Sequence, residues 1–219
     1  MSIGTELPTL PTVSPPPPPS VRPELVRRAR LLARVGLAWH GIEAAVAIGA
    51  GIVAGSIALV GFGADSLVEL LAGVIVLWRF AGRRVSSESA ERRAQQLIAV
   101  SFLLIAAYVG VEAARNLATS AHPDVSWIGI GLAAVTLVTM PPLAWAKARV
   151  AHQIGSSATV SESRQTMLCA YLSAALLVGL VANAAAGWWW ADPVVALLIA
   201  GVALREARDA WRGEQCDCC

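Results

Sequence analysis

From residue 30 onward the chain alternates between long apolar stretches and short polar clusters. Six stretches stand out, at residues 30–54, 55–78, 95–117, 126–148, 157–186 and 192–210. Each is about the 17–25 residues a helix needs to cross a bilayer core, or slightly longer. The pattern predicts an all-α polytopic membrane protein with six transmembrane helices. Little more than Gly51 to Gly55 separates the first two, so they form a tight helical hairpin. Asp192-Pro193 reads as an N-cap followed by proline at the first helical position, which would start the last span.

The segments outside the spans differ in kind. Residues 1–24 include Ser14-Pro15-Pro16-Pro17-Pro18-Pro19-Ser20 and lack the apolar core of a signal peptide. Consecutive prolines favour an extended, solvated chain, so this region is expected to be a disordered cytoplasmic tail. Residues 25–212 form the transmembrane domain, and residues 213–219 a cysteine-rich cytoplasmic tail.

Composition sharpens the class. Of 219 residues, 56% are hydrophobic and 15% charged, with a mean hydropathy of +0.61. A soluble domain carries about 25% charged residues. So few charges cannot cover a water-soluble globule, which excludes a soluble enzyme and a disordered chain. The net charge of +2 points to no nucleic acid. Its distribution is informative instead. Arg22, Arg27, Arg28, Arg30 and Arg34 precede or open the first span, and Arg79, Arg83, Arg84, Arg92 and Arg93 lie between the second and third. Lys147, Arg149 and Arg164 flank the fourth connection, Arg205, Arg208 and Arg212 close the sixth span, and Arg115 alone falls on the other side. The positive-inside rule then places both termini in the cytoplasm, with the protein in the inner membrane. Trp127 and Trp188-Trp189-Trp190 fall at the outer interface, Trp78 and Trp211 at the inner one, as an aromatic belt requires.

Polar residues inside the spans carry the chemistry. Asp65 and Glu69 are four apart, one turn along one helical face. A mid-membrane carboxylate costs about 2.5–3.5 kcal/mol on insertion scales. Two on one face repel unless protons or a cation lie between them. No Lys or Arg sits in the middle of a span to match them, so a cation site is favoured over a proton-sharing structural pair. In span five, Glu162, Gln165, Cys169 and Ser173 form a polar stripe at spacings of three, four and four. Gln165 offers a carbonyl oxygen and Cys169 a soft thiolate; small polar helix packing is the alternative. His40 and Glu43 share a face of span one and suit accessory ligation, a proton relay or a structural hydrogen bond. Glu112 and Arg115 read as an interfacial ion pair. Cys216, Cys218 and Cys219 could collect a soft cation, although three thiols do not close a tetrahedral site. No nucleophile arrangement, P-loop or HExxH is present, and no enzymatic activity is expected.

The segment Gly55-Ser56-Ile57-Ala58-Leu59 followed by Ala64-Asp65-Ser66-Leu67-Val68-Glu69 resembles the second helix of the cation diffusion facilitators. Ser173 to Gly179, and Trp190-Ala191-Asp192-Pro193 with Ala196-Leu197-Leu198-Ile199-Ala200, are similar to their fifth and sixth helices. The resemblance runs from about Arg27 to Trp211 and implies export of divalent cations, zinc most often, by proton antiport in a homodimer. It places the central site on Asp65 and Glu69 of helix two and on Gln165 and Cys169 of helix five. Gln165 replaces the family's histidine and Cys169 its aspartate, so proton coupling would rest on Asp65, Glu69, Cys169 or the His40–Glu43 pair. The thiolate softens the site toward zinc or cadmium, with cobalt, iron or manganese also in range. The family's usual cytoplasmic domain does not follow residue 210, so a homodimer would form through the membrane helices. These departures also motivate a second reading, a non-transporting membrane metal sensor or subunit that kept the scaffold.

Overall fold

The computed structural model describes residues 22–80, 88–154 and 157–212. The regular structure within them is all helix, in the order α1 (Arg22–Ala54), α2 (Ile57–Phe80), α3 (Glu88–Thr119), α4 (Trp127–Ile154), α5 (Ser157–Ala186) and α6 (Ala191–Arg212). By length and composition four of these are able to cross a membrane: residues Arg27–Ala54, Gln96–Thr119, Trp127–Gln153 and Glu162–Ala186. The proline run of the N-terminal tail, Arg83 and Arg84, and Cys216, Cys218 and Cys219 lie outside the described residues, as do the side chains of Trp78, Arg79, Arg92 and Arg93. Helix α1 begins at Arg22, three residues inside the segment expected to be extended. Proline at its second position, Pro23, costs no hydrogen bond, because the first N–H groups of a helix have no intrahelical acceptor.

The ends of the helices follow from local chemistry. After α1, Gly55 adopts φ +66°, the left-handed conformation that glycine tolerates without a Cβ penalty. Ser56 N–H then reaches back to the Gly51 carbonyl at 3.0 Å, and Gly55 N–H to that of Ile52 at 3.4 Å, a Schellman ending. Gly187, at φ +65°, closes α5 in the same conformation. The Gly55, 120–126 and 187–190 connections meet at one end of the bundle. Asp124 N–H bonds the Ala54 carbonyl at 2.8 Å, and Asn183 Nδ2 donates to the Pro123 carbonyl at 3.0 Å. This is the hairpin end; the first and last described residues lie at the opposite, termini end.

The expected N-cap role of Asp192 is corrected by the structure. Helix α6 starts at Ala191, so Asp192 sits in its first turn and its carboxylate serves a different helix. Oδ2 accepts from the Ile57 N–H at 3.0 Å and the Ala58 N–H at 3.3 Å, while Oδ1 accepts from the Ser56 hydroxyl. Ser56 Oγ in turn accepts from Leu59 N–H at 3.1 Å. The first three N–H groups of α2 are thus satisfied by two side chains, one of them from α6. Asp192 is 2% exposed, so water cannot replace it. Asp192→Ala is expected to orphan two buried amides and lower stability by about 1–3 kcal/mol. A thermal midpoint of the detergent-solubilised variant equal to the parent's would refute that role.

Helix α2 is the centre of the bundle, touching α1, α3, α5 and α6, while α4 pairs with α5 and α3 with α6. Its hairpin with α1 is tight because Gly51 and Gly63 carry no side chain: a Cβ at Gly63 would fall 2.9 Å from Ala47 Cβ and from Ile48 N. The inner faces of all six helices meet in a core that includes Ala47, Leu59, Phe62, Val109, Ala133, Leu176 and Ile199, each fully buried. Trp188 and Trp190 stack at 5.4 Å, and His122 packs on Trp189 at 5.2 Å, at the hairpin end. Near that end, Glu112 and Arg115 form the expected ion pair at 2.8 Å.

Candidate metal centre

Four helices turn polar side chains toward one another about midway along the bundle. His40 and Glu43 come from α1, Ser66 and Glu69 from α2, Thr136 from α4, and Cys169 from α5; all are buried. Burial of so many polar groups in an apolar bundle is tolerable only if they partner one another or a ligand.

Glu43 is the most heavily partnered. Its Oε2 accepts from Ser66 Oγ at 2.8 Å and from the Cys169 thiol at 3.6 Å, and its Oε1 accepts from the Thr136 hydroxyl. One carboxylate therefore ties α1 to α2, α4 and α5. Glu69 is different. Its Oε2 stands 3.0 Å from His40 Nδ1, which is itself 3.4 Å from Glu43 Oε2. The 3.0 Å approach lies off the N–H direction of the ring, so neither Glu69 Oε2 nor His40 Nδ1 has a directed hydrogen-bond partner. Their side chains are 6% and 7% exposed, which keeps water from making up the deficit. Ligand atoms of His40, Glu69 and Cys169 all lie within 4.8 Å of one another. An imidazole nitrogen, a carboxylate oxygen and a thiolate sulfur at such spacing suit a tetrahedral divalent cation with one position left open.

The site residues expected from the sequence are distributed as follows. Glu69 and Cys169 come together, and His40 joins them. Asp65 is buried on α2 one turn from Glu69 but outside the three-residue group, and Gln165 is half-buried one turn from Cys169. Ser173 turns its hydroxyl to the Cys169 carbonyl at 2.7 Å. Glu162 does not face the α2 carboxylates. It pairs at 2.9 Å with Lys147, which also donates to Thr166 Oγ1 at 3.1 Å. This corrects the placement of Lys147 among the charges that merely flank the fourth connection: α4 continues to Ile154, and Lys147 is 2% exposed. Ser66, Thr136 and Thr166 escaped sequence reasoning, because hydroxyls are frequent in membrane helices and carry no distinguishing signal.

Comparison with known proteins places the chain in a family. The family described as the cation efflux transmembrane domain matches residues 33–212, which takes in the site and nearly all of the helical bundle. An uncharacterised transporter of Synechocystis sp. (strain ATCC 27184 / PCC 6803 / Kazusa) is 24% identical over 158 residues, covering 68% of this chain and 51% of the relative. The chain thus spans about half the length of that curated relative. Members of the matched family are membrane transporters of metal cations rather than enzymes. With that match extending across the bundle, the chain belongs to the cation efflux family.

Proposed function

We propose that the protein exports a divalent metal cation, zinc before others, in exchange for protons. Glu69, Cys169 and His40 hold the ion, and Asp65 and Gln165, one turn away on α2 and α5, receive or release it as the helices shift. The observation that carries this reading is the pair of buried atoms, His40 Nδ1 and Glu69 Oε2, left without directed hydrogen bonds beside the Cys169 thiol. A dication there would satisfy both and offset the mutual repulsion of Asp65, Glu69 and Glu43. A thiol must lose its proton to bind metal, and a carboxylate must be deprotonated, so loading the ion releases protons and protonation expels it. Arginines at the termini end, among them Arg27, Arg28, Arg149, Arg164, Arg205 and Arg208, favour a cytoplasmic placement of that end in the inner membrane. A homodimer would form through exposed apolar helix faces.

The test is transport of a metal panel into proteoliposomes holding a pH-sensitive dye. Zinc and cadmium are expected to drive proton movement, and metal binding with no translocation would favour the non-transporting reading. Cys169→Asp replaces a soft donor by a hard one and should lower the preference for cadmium over manganese by about tenfold. An unchanged preference would remove Cys169 from the ligand set.

A further inference from the structure

The two ends of the candidate centre are closed by opposite chemistry. Toward the hairpin end, Phe62 lies seven residues before Glu69 and Leu176 seven after Cys169; with Leu59 and Ala133 they form a dry apolar plug. Toward the termini end the same helical stripes continue as a polar column. On α5, Thr166 and Glu162 stand three and seven residues before Cys169, about 4.5 and 10.5 Å along the axis on the same face. On α1, Gly36 stands four residues before His40, about 6 Å along. The space between them is filled from α4 by the Lys147 ammonium, 2.9 Å from Glu162 Oε1 and 3.1 Å from Thr166 Oγ1.

Gly36 is part of this closure. A Cβ there would fall 2.7 Å from Lys147 Nζ, so the absence of a side chain on α1 makes room for the ammonium. Beside it, α1 and α2 are in close contact, since a Cβ at Gly73 would meet Leu37 Cδ2 at 2.3 Å. The Glu162 side chain is 35% exposed and Lys147 only 3%, so the pair runs from the rim inward with the positive charge innermost.

We infer that the Lys147–Glu162 pair is the barrier that closes the metal centre toward the termini end, and that Lys147 must withdraw for a cation to reach Glu69 and Cys169. This rests on the proposed metal centre. A fixed positive charge in a narrow, weakly screened passage repels a dication, whereas its partner carboxylate at the rim attracts one. Exchanging Glu162's partner from Lys147 to the arriving ion would free the ammonium to swing aside. The apolar plug at the other end offers no comparable handle.

Cys169 reports the barrier directly, provided it is the sole thiol, as in the Cys216→Ser, Cys218→Ser, Cys219→Ser background. The experiment is labelling by a membrane-impermeant maleimide in vesicles of each orientation. Lys147→Ala and Glu162→Ala should each raise the rate about tenfold from the termini face alone, since removing either partner of a pair whose ammonium is buried undoes the closure. Lys147→Glu with Glu162→Lys should return the rate most of the way to that of the parent. Unchanged rates in both single variants would overturn the barrier. So would an equal rise from both faces, which marks general loosening, or a charge swap that restores nothing. Zinc ions should slow labelling in the parent protein. If they do not, the metal centre itself is misassigned, which is separable from the effect of the charge variants.

Discussion

Glu69→Gln is expected to abolish zinc-driven proton flux in proteoliposomes and to weaken zinc binding by at least about 100-fold. The substitution keeps the volume and removes the one carboxylate oxygen that faces His40 Nδ1 without a directed donor. A neutral amide leaves a buried dication to be balanced by Glu43, whose oxygens are already engaged by Ser66, Thr136 and Cys169, and by Asp65 one turn away. The metal-free protein should respond in the opposite sense. Glu69 is a buried carboxylate with Asp65 and Glu43 nearby, so removing its charge relieves repulsion as well as desolvation. Thermal stability in detergent with chelator should therefore be unchanged or higher, by about 1 kcal/mol. Asp65→Asn, outside the three-residue group, should weaken zinc binding less than Glu69→Gln does. Equal losses at the two positions would mean that the ion sits between Asp65 and Glu69, and retained flux in Glu69→Gln would remove it from the site.

How much of this was legible in the sequence depends on the range of the interaction. The helices were, because apolar length is a local property and Gly55 punctuates the α1–α2 hairpin within five residues. Glu69 and Cys169 stand out because a carboxylate or a polar stripe inside an apolar stretch is anomalous wherever it faces. Partnership was not legible. The sequence makes Asp192 a cap of its own helix, yet it caps α2, 135 residues earlier. Nothing within one helix records which neighbour its first turn abuts. Lys147 resembles a flanking charge in the sequence because it ends an apolar run, whereas α4 makes two further turns to Ile154 and so keeps it inside the bundle. His40 stands out in the sequence only beside Glu43, three residues away. Its approach to Glu69 depends on the rotation and depth of α1 against α2, which Gly51 and Gly63 set by allowing close contact.

Glu43→Leu should separate structure from function most cleanly. The carboxylate is completely buried and joins four helices, so its loss looks at first like a severe destabilisation. Stranding a buried hydrogen-bonding group costs about 1–3 kcal/mol, and two hydroxyls and a thiol would lose their acceptor. The hydroxyls have another acceptor within reach, however. Ser66 Oγ already lies 3.2 Å from the Phe62 carbonyl, and Thr139 on α4 bonds the carbonyl four residues before it at 2.8 Å, a fallback equally available to Thr136. Replacing a buried ionic group by an apolar one of similar volume is often neutral or stabilising. The unfolding midpoint of the metal-free variant should thus stay within about 1 kcal/mol of the parent. Metal binding should not be spared. Cys169 and His40 both face Glu43 Oε2, at 3.6 and 3.4 Å, and without it the thiol loses the acceptor that orients it and the ring keeps only its 3.0 Å approach to Glu69. Partners that orient metal ligands are worth about 10–100-fold in affinity, and a loss of that size is expected for zinc by calorimetry. Glu43→Gln, which retains an acceptor for the thiol, should recover part of it. A Glu43→Leu protein that unfolds several kcal/mol more easily would assign Glu43 to holding the helices together, and one that binds zinc normally would free Cys169 and His40 from dependence on it.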